Sequence, residues 1–159
     1  MSHFYKLQYT DDRIDLLKSE IESRSDWFEN KGFSILRLHK HIFSNTPVGI
    51  IIDKFKGSPV IFRLNPMTWY NWHTDTVRQC AINMLINGED SKTFFGNKVS
   101  TDLVELTELN YESQRYYLFN TQKNHAILNL NNFRYVLSIG FNPPNTFDNI
   151  LNFCQENNL

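Results

Sequence analysis

Cysteine is almost missing from this chain of 159 residues: Cys80 and Cys154 are the only two. That leaves no disulfide framework and favours a reducing compartment, with Cys80 inside an apolar run where it reads as a small core residue. Charge of one sign is lacking too. Sixteen Lys and Arg against 17 Asp and Glu leave a formal net charge of -1, so no basic field draws the chain to nucleic acid or an acidic membrane. No apolar run approaches the roughly 20 residues that cross a bilayer, and the first residues lack the basic start and apolar stretch of a secretion signal. The expectation is a soluble, cytoplasmic protein with neither nucleic acid nor membrane as partner, its oligomeric state open.

What the chain does have is apolar and aromatic mass. Hydrophobic residues make up 41% and aromatics 14%, with 13 Phe and 7 Tyr, a composition for a packed, sheet-rich globule. A length of this order corresponds to one domain with a continuous core. No internal repeat or low-complexity linker divides it.

Asp11 and Asp12 precede Ile14, Leu17, Ile21 and Phe28, whose spacing predicts a helix over about residues 12–31 with Gly32 as its stop. Shorter periods follow. Phe33–Phe43, Val48–Phe55, Val60–Leu64, Cys80–Ile86, Thr93–Phe95, Leu103–Leu109, Arg115–Phe119, Ala126–Leu130 and Arg134–Phe141 read as strands. Asn87-Gly88 marks a tight turn, from which a hairpin between the strands at Cys80–Ile86 and Thr93–Phe95 is expected. Asn142-Pro143-Pro144-Asn145 breaks the sheet, and Thr146 caps a short last helix through Phe153. The predicted class is mainly β, two sheets closed into a jelly roll between an N-terminal and a C-terminal helix; an open α+β sheet is the structural alternative.

The residues that carry chemistry are His73, Asp75, His125 and Arg134. In an extended segment residues two apart share a face, so His73 and Asp75 reach one ion while Thr74 points away. His125 has to arrive from another strand. Two imidazoles and a carboxylate form the facial set of non-haem iron(II) sites, with positions left open for substrate and oxygen, although such a set does not exclude zinc or copper. A lone His-x-Asp is more often a surface or core hydrogen-bonding pair. His3, His39 and His41 are read in that way. Arg134, flanked by Phe133, Tyr135, Val136 and Leu137, carries a guanidinium into an apolar strand, where an unpaired charge is costly; a bound carboxylate held by its planar fork removes the cost.

On these residues the chain resembles the iron(II)- and 2-oxoglutarate-dependent oxygenases, over about residues 60–143. His125-Ala-Ile-Leu-Asn129 followed by Arg134-Tyr-Val-Leu137 looks most like the aspartyl/asparaginyl β-hydroxylase-like branch. The resemblance implies a double-stranded β-helix, with a catalytic core over about residues 33–142 of a single domain spanning 1–159. It implies Fe(II) held by His73, Asp75 and His125, 2-oxoglutarate as co-substrate with its far carboxylate on Arg134, and O2 as oxidant. Arg78 and Asn83 fall where relatives place polar groups near the co-substrate. Relatives commonly have a serine two positions after the arginine; that position is Val136 here, and Ser138, on the same strand face, is the alternative contact. The retained Asp75 points to a hydroxylase rather than a halogenating variant.

The activity so implied is hydroxylation of an amino acid, peptide or other small substrate, with release of succinate and CO2. Trp69, Tyr70 and Trp72 before the first ligand, and Tyr116 and Tyr117 ahead of His125, either line the pocket or fill a core. Asn129 either orients a ligand or satisfies a turn. Two other functions remain open at this level: a cupin-like metalloenzyme that does not use 2-oxoglutarate, though with 6 glycines the chain shows no clear glycine-rich cupin motif, and a non-catalytic β-sandwich binding module with structural histidines.

Overall fold

The computed structural model describes residues 2–30, 32–99 and 102–159. In chain order the elements are β1 (Phe4–Thr10), α1 (Ile14–Ser23), β2 (Phe28–Asn30), β3 (Phe33–Arg37), a 3₁₀ turn (Lys40–Phe43), α2 (Pro47–Phe55), β4 (Ser58–Leu64), β5 (Thr68–His73), β6 (Cys80–Asn87), β7 (Lys92–Val99), β8 (Asp102–Leu109), β9 (Arg115–Phe119), β10 (His125–Asn129), β11 (Arg134–Phe141) and α3 (Phe147–Glu156). A seven-stranded sheet runs β1-β9-β6-β11-β4-β3-β2 and a four-stranded sheet β5-β10-β7-β8, with every pairing antiparallel. From β4 onward the chain alternates between the two sheets, apart from the β7–β8 hairpin within the smaller one. This winding is a jelly roll of eight strands, β4 to β11, with β1 added at one edge of the large sheet and β2 and β3 at the other.

Period-two alternation gives the large sheet two working faces. On one, Ile61, Ile82, Met84, Leu118, Leu137 and Ile139 pack with Leu17 of α1, Ile51 and Ile52 of α2, and Ile150 and Cys154 of α3 in the main core. Truncating any of these fully buried aliphatics costs about 2–5 kcal/mol. The other face carries Leu64, Phe62, Asn83, Arg134, Val136 and Ser138 toward the small sheet, where they line a cavity.

Several sequence expectations hold closely. β11 and β9 have the expected bounds, and Thr146 caps α3 by accepting from the amide of Asn149. Others need correction. α1 ends at Ser23, where the Arg24 guanidinium reaches Glu20, Asp26 and the Arg37 carbonyl and fastens an extended exit. Phe28 is therefore an exposed residue of β2, and Gly32, at φ +83°, belongs to the turn into β3; Lys31, the expected helix end, lies outside the described residues. Val48–Phe55 forms helix α2 despite its run of isoleucines. Thr46 caps it through the Gly49 amide, Pro47 opens it, and burial at Val48, Ile51 and Ile52 follows helical spacing. Phe33–Phe43 divides into β3 and the 3₁₀ turn, and β1 and β5 stand outside the strands expected from the sequence.

The expected hairpin at Asn87-Gly88 does not form. β6 pairs with β9 and β11, whereas β7 pairs with β8 and β10, so the turn carries the chain from one sheet to the other. Gly88 stands at φ +101°, and a Cβ there would meet the Arg134 Cα at 2.9 Å. Among the described residues no helix is long and apolar enough to cross a membrane. Gly88→Ala should lower unfolding free energy by about 1–3 kcal/mol, combining backbone strain with a clash against β11. Urea denaturation checks it, and a loss below the error of the fit contradicts the close approach.

Candidate metal centre and the adjoining cavity

β5 and β10 pair so that His73 stands directly opposite His125. Cross-strand partners present their side chains on one face, and the two imidazole centroids lie 4.2 Å apart. Asp75 follows just past the end of β5. Its position is set by the turn ahead of β10: the Asp75 amide donates to the Thr121 carbonyl at 3.0 Å, and Gln122 Nε2 donates to the carbonyls of Asp75 at 3.0 Å and Arg78 at 2.8 Å. The segment holding the carboxylate is thus tied to the segment leading into His125. One ligand atom from each of His73, Asp75 and His125 lies within 4.8 Å of the others.

The tautomers are set as well. His73 Nδ1 lies 2.7 Å from the Asn71 carbonyl and His125 Nδ1 2.9 Å from the Lys123 carbonyl. A carbonyl oxygen only accepts, so each Nδ1 bears a proton, and the tautomer this selects in a neutral ring is the one whose Nε2 can take an ion. Burial pushes the His125 imidazole below its ordinary value, reinforced by its neighbour His73 against the raising effect of the Lys123 carbonyl. The neutral, ligating form is favoured. Asp75 divides its oxygens: Oδ1 is 3.8 Å from His73 Nε2, while Oδ2 is 2.7 Å from Arg78 Nη2, a charge pairing without hydrogen-bond alignment. Arg78 Nη1 donates to Ser138 Oγ at 3.1 Å, and its guanidinium lies 5.4 Å from the Phe62 ring centroid.

A cavity of about 230 Å³ opens between the sheets, lined by His73, Tyr70 and His125 at one end and by Tyr111 and Arg134 at the other. Arg134 is 2% exposed and donates from Nη2 to Thr93 Oγ1 at 2.9 Å, with its guanidinium 5.7 Å from the Tyr111 ring centroid. No carboxylate pairs with it among the described residues, and its Nε has no partner. Burial accordingly lowers its affinity for the proton, which the neighbouring Tyr111 opposes. The Tyr111 hydroxyl faces Arg134 and Thr93, and Asn83 Oδ1 is buried without a hydrogen bond. Thr93 pairs with Ile127 on β10, two residues and about 7 Å along the strand from His125.

The structure therefore brings His73, Asp75 and His125 together and places Arg134, Arg78, Asn83 and Ser138 around one cavity. Arg78 and Ser138 bond to each other at the Asp75 end, and Ser138 stands about 13 Å along β11 from Arg134, so Thr93 is the hydroxyl at that guanidinium. Thr93, Tyr111, Thr121 and Gln122 were missed in sequence, since each acts through a partner remote along the chain. Tyr70 lines the cavity, while Trp69 is 48% exposed. Tyr116 packs in the helix-side core and donates to Asp11, and Tyr117 packs with Phe95 and Phe119. Asn129 Nδ2 donates to the carbonyls of Leu64, Asn65 and Asn132, which makes it a brace for the β4 and β10 ends. His39 and His41 stack on each other and are not part of the triad.

No protein-family model matches this chain, and no curated protein matches it. Solved structures share its fold. A Pseudomonas putida prolyl-4-hydroxylase superposes with a TM-score of 0.66 at 12% identity, over 90% of this chain and 94% of that one. HygX from Streptomyces hygroscopicus, solved with nickel, 2-oxoglutarate and hygromycin B bound, gives 0.63 at 9% identity over 90% and 84%. A viral collagen prolyl hydroxylase from Paramecium bursaria Chlorella virus-1, solved as a 2-oxoglutarate complex, gives 0.57 at 9% identity over 89% and 96%. At such identities the likeness shows the fold alone, a jelly roll that this chain shares with those three structures.

Two measurements on the ligand-free protein follow. Arg134→Met removes a buried charge that no carboxylate balances, and should raise unfolding free energy by about 1–3 kcal/mol in urea; a loss of similar size would mean that the guanidinium is structurally compensated. His125 gives the second. Its folded-state value lies below the ordinary 6.5, so its contribution to stability is complete above that pH and is lost as pH falls from there toward the folded value. The stability difference between about pH 7.5 and about pH 5 should shrink in His125→Gln, and an unchanged difference contradicts the buried neutral imidazole.

Proposed function

We propose that the protein is an iron(II)- and 2-oxoglutarate-dependent dioxygenase that hydroxylates an amino acid, peptide or other small substrate. The observation that supports this most is the juxtaposition of two unlike needs in one cavity: three side chains arranged to share a cation, and a buried guanidinium that lacks an anion. The donor set fits the ion. Two imidazoles held by Nδ1, with Nε2 left for an ion, and one carboxylate suit a borderline divalent metal and occupy only one face of it. The other end of the cavity fits a diacid, because Arg134, Thr93 and Tyr111 offer donors in a buried site where a carboxylate is bound strongly.

His73, Asp75 and His125 would hold Fe(II), and Arg134 with Thr93 would take the far carboxylate of 2-oxoglutarate. The bound pair supplies, with O2, oxidative decarboxylation to succinate and CO2 coupled to hydroxylation of a substrate C–H bond. This chain's residues do the holding and shielding. The carbonyls of Asn71 and Lys123 keep the imidazoles in the ligating tautomer. Arg78 occupies Asp75 Oδ2 and leaves Oδ1 for the metal, which favours one-oxygen ligation and open positions beside it. Ile127, Val136 and Leu64 keep the middle of the cavity apolar and limit water around the reacting groups.

The finer placement in the aspartyl/asparaginyl β-hydroxylase-like branch rests on the segments His125–Asn129 and Arg134–Leu137. A cupin-like enzyme without 2-oxoglutarate leaves the Arg134 guanidinium unexplained, and a binding module leaves the paired tautomers unexplained. Anaerobic titration of the protein with Fe(II) and 2-oxoglutarate should give the weak visible charge-transfer band of the chelate, and aerobic turnover should release succinate. Arg134→Ala should weaken 2-oxoglutarate binding by about 30-fold or more while leaving Mn(II) affinity within a few-fold. Absence of the band in the wild type, or equal affinity in the variant, contradicts the assignment.

A further inference from the structure

We propose that a second groove, continuous with the metal cavity, seats the substrate, and that the substrate is a small molecule with an apolar body ending in a carboxylate. The inference rests on the hydroxylase reading above and names its substrate class. The groove has a volume of about 550 Å³ and shares Ile35, Phe62 and Arg78 with the metal cavity. None of its described lining residues comes from the four-stranded sheet. It is the stretch of the large sheet's inner face that runs beyond the edge of the smaller one. A space of this size suits a small ligand.

Its floor is apolar, formed by Ile35, Val60 and Phe62 with Pro59 and Leu38 beside them. Its charged lining is cationic throughout: Arg37, Lys40 and Arg78, with no Asp or Glu. These three cations are not equivalent. Arg78 is ion-paired with Asp75 and lies flat against β11, where a Cβ on Gly140 would meet its Cδ at 2.6 Å. It forms the boundary between groove and metal cavity. Arg37 and Lys40 are exposed, and among the described residues neither side chain is in an ion pair.

The β3–β4 register gives the geometry. Ile35 pairs with Phe62 and Arg37 with Val60, so Arg37 stands two residues, about 7 Å, further from the shared Phe62 level. A carboxylate drawn to Arg37 and Lys40 leaves the apolar body lying over Val60 and Phe62, directed toward His73 and Asp75. The carbon presented to the metal is then several bonds from the acid group rather than next to it. Charge complementarity selects an acid, and the apolar floor selects its hydrocarbon part.

The test uses 4-phenylbutyrate, N-acetylleucine and N-acetylphenylalanine, each against its carboxamide. Amide chemical-shift mapping is done on the full chain loaded with Zn(II) and saturating 2-oxoglutarate, so that the Arg134 end is filled. At least one acid should shift Ile35, Val60 and Gly140, bind about fivefold or more tighter than its amide, and lose that preference in the double variant Arg37→Glu, Lys40→Glu. Affinity for 2-oxoglutarate, followed by tryptophan fluorescence, should be unchanged in the variant. The proposal is overturned if no acid maps to the groove, if amides bind equally well, or if the variant keeps the preference. If the wild type binds no 2-oxoglutarate yet an acid maps to the groove with the same charge dependence, the hydroxylase reading falls and the acid site stands.

Discussion

The antiparallel pairing of β5 with β10 is the constraint from which the rest of the site follows. It sets His73 opposite His125 on the inner face of the small sheet, and the irregularity in register just beyond that pair keeps Tyr70 beside them in the cavity. Neither imidazole is free to turn, since the Asn71 and Lys123 carbonyls hold each ring by Nδ1. The carboxylate is recruited by the same pairing, because the turn ahead of β10 fastens the segment of Asp75 through Thr121 and Gln122. A strand register and four hydrogen bonds to backbone carbonyls are therefore enough to bring together groups that are far apart in sequence.

The opposite end of the cavity shows a stability cost kept for function. Burying a guanidinium beside one threonine hydroxyl, with its Nε unpaired, is unfavourable by itself. The fold holds it there firmly: Arg134 opens β11, pairs across to Leu64, and has Gly88 so close behind it that a methyl group would not fit. Such over-determined placement of an uncompensated charge, beside the buried Tyr111 ring, is what a preorganised anion site requires. Arg78 plays the complementary part. Its charge is balanced by Asp75, whereas Arg134 has no carboxylate partner among the described residues.

The parts of this arrangement that were legible in sequence are those carried by short-range signals. Period-two runs located β4, β6, β9 and β11, Thr146 announced α3, and His73, Asp75, His125 and Arg134 stood out because imidazoles, a carboxylate and a guanidinium in extended apolar segments need a reason. Where local signals conflict, tertiary context decided. The isoleucines of α2 favour a strand in isolation, but the Thr46-Pro47 start and the spacing of Val48, Ile51 and Ile52 fit a helix laid on the large sheet. Asn87-Gly88 carries the chemistry of a hairpin and was used for a crossing between sheets, a choice made by partners of β6 that lie far along the chain. Thr93, Tyr111, Thr121 and Gln122 had no signal of their own, because each matters only through what the fold sets beside it.

The central claim is that one divalent cation sits between His73, Asp75 and His125 with a diacid reaching from it to Arg134. Anomalous diffraction from crystals grown with Mn(II) and 2-oxoglutarate tests this most directly. The account predicts a single strong manganese peak bonded to Nε2 of both histidines and to Oδ1 of Asp75, with the far carboxylate of 2-oxoglutarate on Arg134 and Thr93. Manganese bound elsewhere, or a diacid that leaves Arg134 without a partner, would contradict it.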